Sequence, residues 1–140
     1  MNAPKGPEAA PRPCLLVVDN ELTYCQVIAK RLSAEGFDVV TATSGDEALA
    51  RLATDQVFDC ILLDVVMPDK GGYAVYREIR ARPNAKTTPI IFLTVTAEEQ
   101  QWEPLPEPGE RWAFVTGKPI THQVLVERIR ALISQAQSNG

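Results

Sequence analysis

The apolar residues of this chain come in short unbroken runs, and that limits its possible folds more than any other feature. Cys14-Leu-Leu-Val-Val18 and Cys60-Ile-Leu-Leu63 are strand-length and show no polar alternation. Such runs mark strands buried on both faces, as in a parallel sheet covered by helices. No run approaches the roughly 18–20 apolar residues that a membrane span needs.

Amphipathic segments lie between the runs. Leu15–Asp19 reads as a first strand, followed by a helix over Glu21–Ala34 that buries Cys25, Ile28, Ala29 and Leu32 and stops at Gly36. Phe37–Thr41 is a second strand. Ser44 and Glu47 form an S-x-x-E capping box that opens a helix through Thr54. Phe58–Asp64 is the third strand, and Pro68 and Gly71-Gly72 break the chain before a helix from Tyr73 to Ala81. Pro89–Thr94 and Ala113–Thr116 complete the strands. Thr121 caps a last helix burying Leu125, Ile129, Leu132 and Ile133. Strands alternating with helices predict a doubly wound α/β sheet. One stretch breaks the alternation: Thr96 and Glu99 could cap a helix, but Pro104, Pro106 and Pro108 limit it to Ala97–Glu103 and leave Pro104–Glu110 irregular.

At 140 residues the chain has room for one domain. Residues 1–13, with Pro4, Pro7, Pro11 and Pro13, predict a flexible tail, residues 14–136 the domain and 137–140 a C-terminal tail. The 45% apolar and 23% charged composition is that of a globular protein, and the net charge of -4 argues against a broad nucleic-acid-binding face. Three cysteines make no disulfide framework, and with one histidine and no Cys-x-x-Cys there is no basis for a zinc site. Cys14, Cys25 and Cys60 read as reduced core residues. Without a signal segment or membrane span, a cytoplasmic location is expected.

In an open parallel sheet, ligands bind beyond the carboxyl ends of the strands, where strand order reverses. The first strand ends in Asp19-Asn20-Glu21, the third in Asp64 and the fourth in Thr94, and Lys118-Pro119 follows the fifth. Two carboxylates, a hydroxyl and an ammonium therefore converge on one rim. Any one alone is weak, since an acid after a strand is often a helix cap.

These residues resemble the receiver domain of two-component response regulators of the chemotaxis-regulator type. The resemblance is carried by Leu15-Leu-Val-Val-Asp19-Asn-Glu21 and by Leu62-Leu-Asp64-Val-Val-Met-Pro68, Gly72, Leu93-Thr94 and Lys118-Pro119, from residue 14 to about 135. It implies a flavodoxin-like five-stranded parallel sheet in the order 2-1-3-4-5 with helices on both faces, the fourth helix here short or broken by prolines. It also implies that Asp64 accepts a phosphoryl group from a sensor histidine kinase or phosphotransfer protein. Mg²⁺ would be held by Asp19, Asp64 and the backbone carbonyl of Val66, with Thr94 and Lys118 binding the phosphate. Such a protein is a phosphoacceptor that self-catalyses phosphoryl transfer at most, rather than an enzyme.

The sequence also departs from that pattern. Asn20 stands where most receivers have a second acid, which weakens the metal site. Glu21 could compensate through water, although a dipole-favoured acid at a helix start is the plainer reading. Val95 and Val66 narrow access to the pocket and imply slow dephosphorylation. The switching aromatic is expected three residues before the lysine, at Val115; a bulge at Gly117 would restore Phe114 to that role, and otherwise Phe114 is ordinary core. Trp102 and Trp112 either present a binding surface or pin the proline-rich loop. His122 reads as an exposed residue, and Arg77, Arg80 and Arg82 as a solvated helix face.

The sequence thus predicts a stand-alone receiver that signals through an unknown downstream protein, without nucleic acid or membrane, and leaves a homodimer open. The competing reading is a pseudo-receiver, a binding module that does not depend on phosphorylation. Two enzyme classes fail on position. A haloacid-dehalogenase-type phosphatase needs a second Asp at residue 66, and a flavodoxin needs its hydroxyl-rich loop after the first strand rather than at Thr41–Gly45.

Overall fold

The computed structural model describes residues 12–54, 56–65, 71–94, 110–117 and 120–139. Five parallel strands, β1 (Cys14–Val18), β2 (Asp38–Ala42), β3 (Cys60–Asp64), β4 (Ile90–Thr94) and β5 (Ala113–Gly117), form one sheet in the order β2-β1-β3-β4-β5. The helices among the described residues are α1 (Leu22–Ala34), α2 (Gly45–Leu52), α3 (Gly72–Arg80), a 3₁₀ turn at Pro83–Ala85, and α4 (His122–Asn139).

Period-two alternation along the central strands creates two cores. Leu16, Val18, Ile61, Leu63, Ile90 and Phe92 pack with Ala48 and Leu52 of α2 and with Val75, Tyr76 and Ile79 of α3. Leu15, Val17, Cys60, Leu62, Ile91 and Leu93 face the other way, onto Cys25, Ile28 and Leu32 of α1 and Leu125, Ile129 and Ile133 of α4. Because both faces are covered, the central strands are uniformly apolar, and each buried Leu or Ile contributes about 1.5–3 kcal/mol.

Local signals set the helix ends. Ser44 accepts the Glu47 N–H at 3.0 Å, while the Glu47 carboxylate reaches back one residue further than a capping box requires, to the Thr43 N–H at 2.7 Å. Gly36, at φ 103°, closes α1 with Phe37 N–H donating to the Leu32 carbonyl. The three thiols are free, and burial pushes the Cys60 thiol up to about 12, so it stays a neutral core group.

The structure moves several sequence-based boundaries. Arg12, expected in the flexible tail, is fixed: it donates to the carbonyls of Ser33 and Phe37 and pairs with Asp38 at 3.0 Å, tying residue 12 to the end of α1. At the other end, α4 runs to Asn139, past residue 136, after which a C-terminal tail is expected. His122 is half-buried as the first residue of α4, its Nε2 3.6 Å from Glu35 Oε2, instead of exposed. The expected helix at 97–103, the prolines after it and Trp102 lie outside the described residues, as does most of the N-terminal tail.

Arg80 is the largest correction. Its side chain, 14% exposed, donates Nε to Glu110 Oε1 at 2.8 Å and Nη2 to Oε2 at 3.1 Å, and its Nη1 bonds the carbonyls of Ala85 and Thr88. Tyr76 Oη donates to the same carboxylate at 2.6 Å, and the Trp112 N–H at 2.8 Å. A single carboxylate thus fastens α3 to the start of β5, and Trp112 is held there through its backbone. Burial alone would raise the Glu110 carboxyl, but the donors from Arg80, Tyr76 and Trp112 together with the guanidinium charge outweigh it and bring it down to about 2. Since the folded value lies below the ordinary one, this stabilisation is complete above about pH 4.5 and is lost as the pH falls towards 2. Replacing Glu110→Gln is expected to lower unfolding free energy by about 2–3 kcal/mol in urea melts at neutral pH, and to flatten the acid limb of the stability curve.

Candidate functional site

Strand order reverses between β1 and β3, which pair in parallel from Leu15↔Cys60 to Val18↔Leu63. Asp19 follows the last β1 residue and Asp64 ends β3, so the two acids stand one step beyond the final pair on neighbouring strands, roughly 5 Å apart in backbone spacing. Both are buried, at 2% and 8% exposure. Asp64 pairs with Leu93, and Thr94 follows on β4, paired in turn with Gly117. The sheet therefore brings the ends named by three of the four sequence signals to one rim. The Thr94 side chain, Lys118, Val66 and Val95 lie outside what is described.

Asp19 is fixed from several sides. Its N–H donates to the Ala42 carbonyl at 3.1 Å, and its Oδ1 accepts the Glu21 N–H at 2.9 Å. Asn20 is exposed at the mouth. Glu21 sits at the N-cap of α1, one residue outside the helix, is exposed, and makes no side-chain capping bond.

Gly72 is a site residue whose role the sequence did not reveal. Its N–H donates to the Val65 carbonyl at 2.8 Å as α3 begins directly against the end of β3. A Cβ on Gly72 would lie 2.5 Å from the Asp64 carbonyl oxygen and 2.8 Å from the Val65 Cα. Only a residue without a side chain lets the helix start there while Asp64 keeps its position.

The bulge at Gly117 that would shift Phe114 towards the switching position is not formed. The β4–β5 ladder runs without interruption from Ile90↔Ala113 to Thr94↔Gly117, so there is no bulge up to Gly117. Phe114, 39% exposed, pairs with Ile91, and Val115 pairs with Phe92; both line a cleft of about 280 Å³ against Arg128 and Leu132 of α4. Thr116 shares the Phe114 face, and Arg128 Nη1 donates to its hydroxyl at 2.8 Å.

Two buried carboxyl groups at adjoining strand ends offer the hard oxygen donors that a small divalent cation takes. Among the described residues no group of three or more His, Cys, Asp or Glu side chains gathers, so the acid donors at the rim are these two. Hard oxygen donors in that number suit Mg²⁺, which is typically held by one or two carboxylates with waters completing its shell.

The family profile described as the response regulator receiver domain matches residues 15–130. The transcriptional regulatory protein ResD of Bacillus subtilis (strain 168) is 36% identical over 126 residues, covering 90% of this chain and 50% of that protein. Among solved structures, the receiver domain of sensor histidine kinase PA1611 from Pseudomonas aeruginosa PAO1 superposes with a TM-score of 0.77 at 30% identity, covering 89% of this chain and 99% of that one. That structure is described with a magnesium ion coordinated in its active site cleft. The Vibrio cholerae chemotaxis protein CheY4 superposes with a TM-score of 0.74 at 27% identity, covering 87% and 99%. The chain belongs to the response regulator receiver domain family of two-component signalling. It spans about half the length of the curated relatives it matches. No described helix is long and apolar enough to cross a membrane.

The contact beneath Asp64 yields a test with a distinctive sign. Alanine normally improves on glycine in a helix by roughly 0.5–1 kcal/mol. Gly72→Ala is instead expected to destabilise the fold by about 1–3 kcal/mol, because the backbone of residues 64 and 65 must shift. Gly71→Ala, whose Cβ would meet only the Val65 carbonyl at 3.9 Å, serves as the tolerated control. Urea unfolding of both variants checks this.

Proposed function

We propose that this receiver accepts a phosphoryl group on Asp64 from a sensor histidine kinase or a phosphotransfer protein, and passes the signal on by protein contact. The observation that carries this reading is the burial of Asp19 and Asp64 at adjoining strand ends, where the sheet order reverses. A carboxylate oxygen of Asp64 attacks phosphorus, the bond from phosphorus to the donor's imidazole nitrogen breaks, and an acyl phosphate and free imidazole result. Asp19 and Asp64 would hold Mg²⁺ with the Val66 carbonyl, and the exposed Asn20 would add at most a neutral amide oxygen. When bound, the ion neutralises phosphoryl oxygens. Following the family pattern, Thr94 and Lys118 would bind the phosphate, and Val66 and Val95 would slow its hydrolysis. The protein then acts as a phosphoacceptor, not a turnover enzyme. A net charge of -4 supports a protein rather than a nucleic-acid partner for this domain.

Incubation with Mg²⁺ and acetyl phosphate is expected to add the mass of one phosphoryl group to the wild type and none to Asp64→Ala. Asn20→Asp restores a charged oxygen at the mouth and is expected to tighten Mg²⁺ binding by about an order of magnitude. A wild type that takes no phosphoryl group, from acetyl phosphate or from a kinase, would overturn this reading and favour the pseudo-receiver.

A further inference from the structure

Cys25 is completely buried in the first turn of α1, where apolar spacing alone would explain it. Its sulfur, however, does not face only hydrocarbon. Sγ lies 3.2 Å from the Asp19 carbonyl oxygen and 3.8 Å from that of Ala42, the same carbonyl that accepts the Asp19 N–H. The sulfur thus sits where the end of β1, the end of β2 and the start of α1 meet, and its one proton is nearer the Asp19 carbonyl. Both groups of Asp19's backbone are engaged, its N–H by β2 and its carbonyl by Cys25, while Oδ1 is held by the Glu21 amide.

We infer that Cys25 is a positioning residue for the metal site: its thiol fixes the Asp19 peptide and so sets the direction in which the Asp19 carboxylate is offered to Mg²⁺. This inference rests on the Mg²⁺-assisted phosphoacceptor reading above. At 0% exposure, water cannot take over as donor if the thiol is removed. The Asp19–Asn20 peptide is then held by one bond fewer, and the carboxylate carried on Asp19 is offered to the ion in a less fixed direction. Groups that orient a metal ligand in this way govern affinity without touching the ion.

The test compares Cys25→Ser, which keeps a hydroxyl donor, with Cys25→Val, which fills the volume without one, and Cys25→Ala, which does neither. Mg²⁺ affinity is measured by calorimetry on the unphosphorylated protein, alongside urea stability and the ¹⁵N resonance of the Asn20 amide. That nitrogen shares a peptide with the Asp19 carbonyl and reports directly on the donor to it. Val and Ala are expected to weaken Mg²⁺ binding roughly threefold to tenfold and to shift the Asn20 resonance, while Ser stays near the wild type in both. Wild-type affinity in Cys25→Val overturns the inference and leaves the site reading standing, because a loss confined to Ala reports only a cavity. Equal losses in Ser and Val overturn it as well. A wild type that binds no Mg²⁺ overturns the inference together with the site reading beneath it.

Discussion

The β1–β3 pairing is the constraint on which everything else in this domain depends. These strands lie inside the sheet and are covered on both faces, so a slip of one residue would exchange the contents of the two cores. Their register is therefore held by hydrophobic burial along nearly the whole length of each strand. The acids at their ends add nothing to that register; they inherit it. Two charged groups can be kept nearly dry beside each other because apolar side chains, not the acids themselves, determine where the chain goes.

Much of this was legible in the sequence because it is local. Unbroken runs such as Leu15–Val18 and Ile61–Leu63 can satisfy only a sheet covered on both sides, and the breaks at Gly36 and Ser44 are chemical signals carried by single residues. Asp19 and Asp64 could be picked out because strand ends at a topological reversal are where ligands gather. Resemblance then supplied roles that periodicity could not.

What escaped the sequence depends on contacts across the chain. Arg80 looks solvated on its own helix because its partner, Glu110, lies 30 residues away. Gly72 announces a break in the chain, but only the folded structure shows it resting on the carbonyl of Asp64. Cys25 fits an apolar spacing, which cannot reveal that its sulfur meets the Asp19 carbonyl. Phe114 invited a bulge on the strength of one glycine, and the continuous pairing with β4 overrode that local hint.

The Arg80–Glu110 pair also sets where the edge strand begins. Trp112, two residues after Glu110, has its carbonyl bonded to the Ile90 N–H at the beginning of β4, whereas Thr94 ends that strand. The part-buried pair therefore acts at the opposite end of the sheet from the rim of Asp19 and Asp64. It fixes the depth at which β5 enters the sheet, and the continuous pairing with β4 carries that setting up to Gly117 beside Thr94. On this side the rim takes its height from a carboxylate a whole strand away.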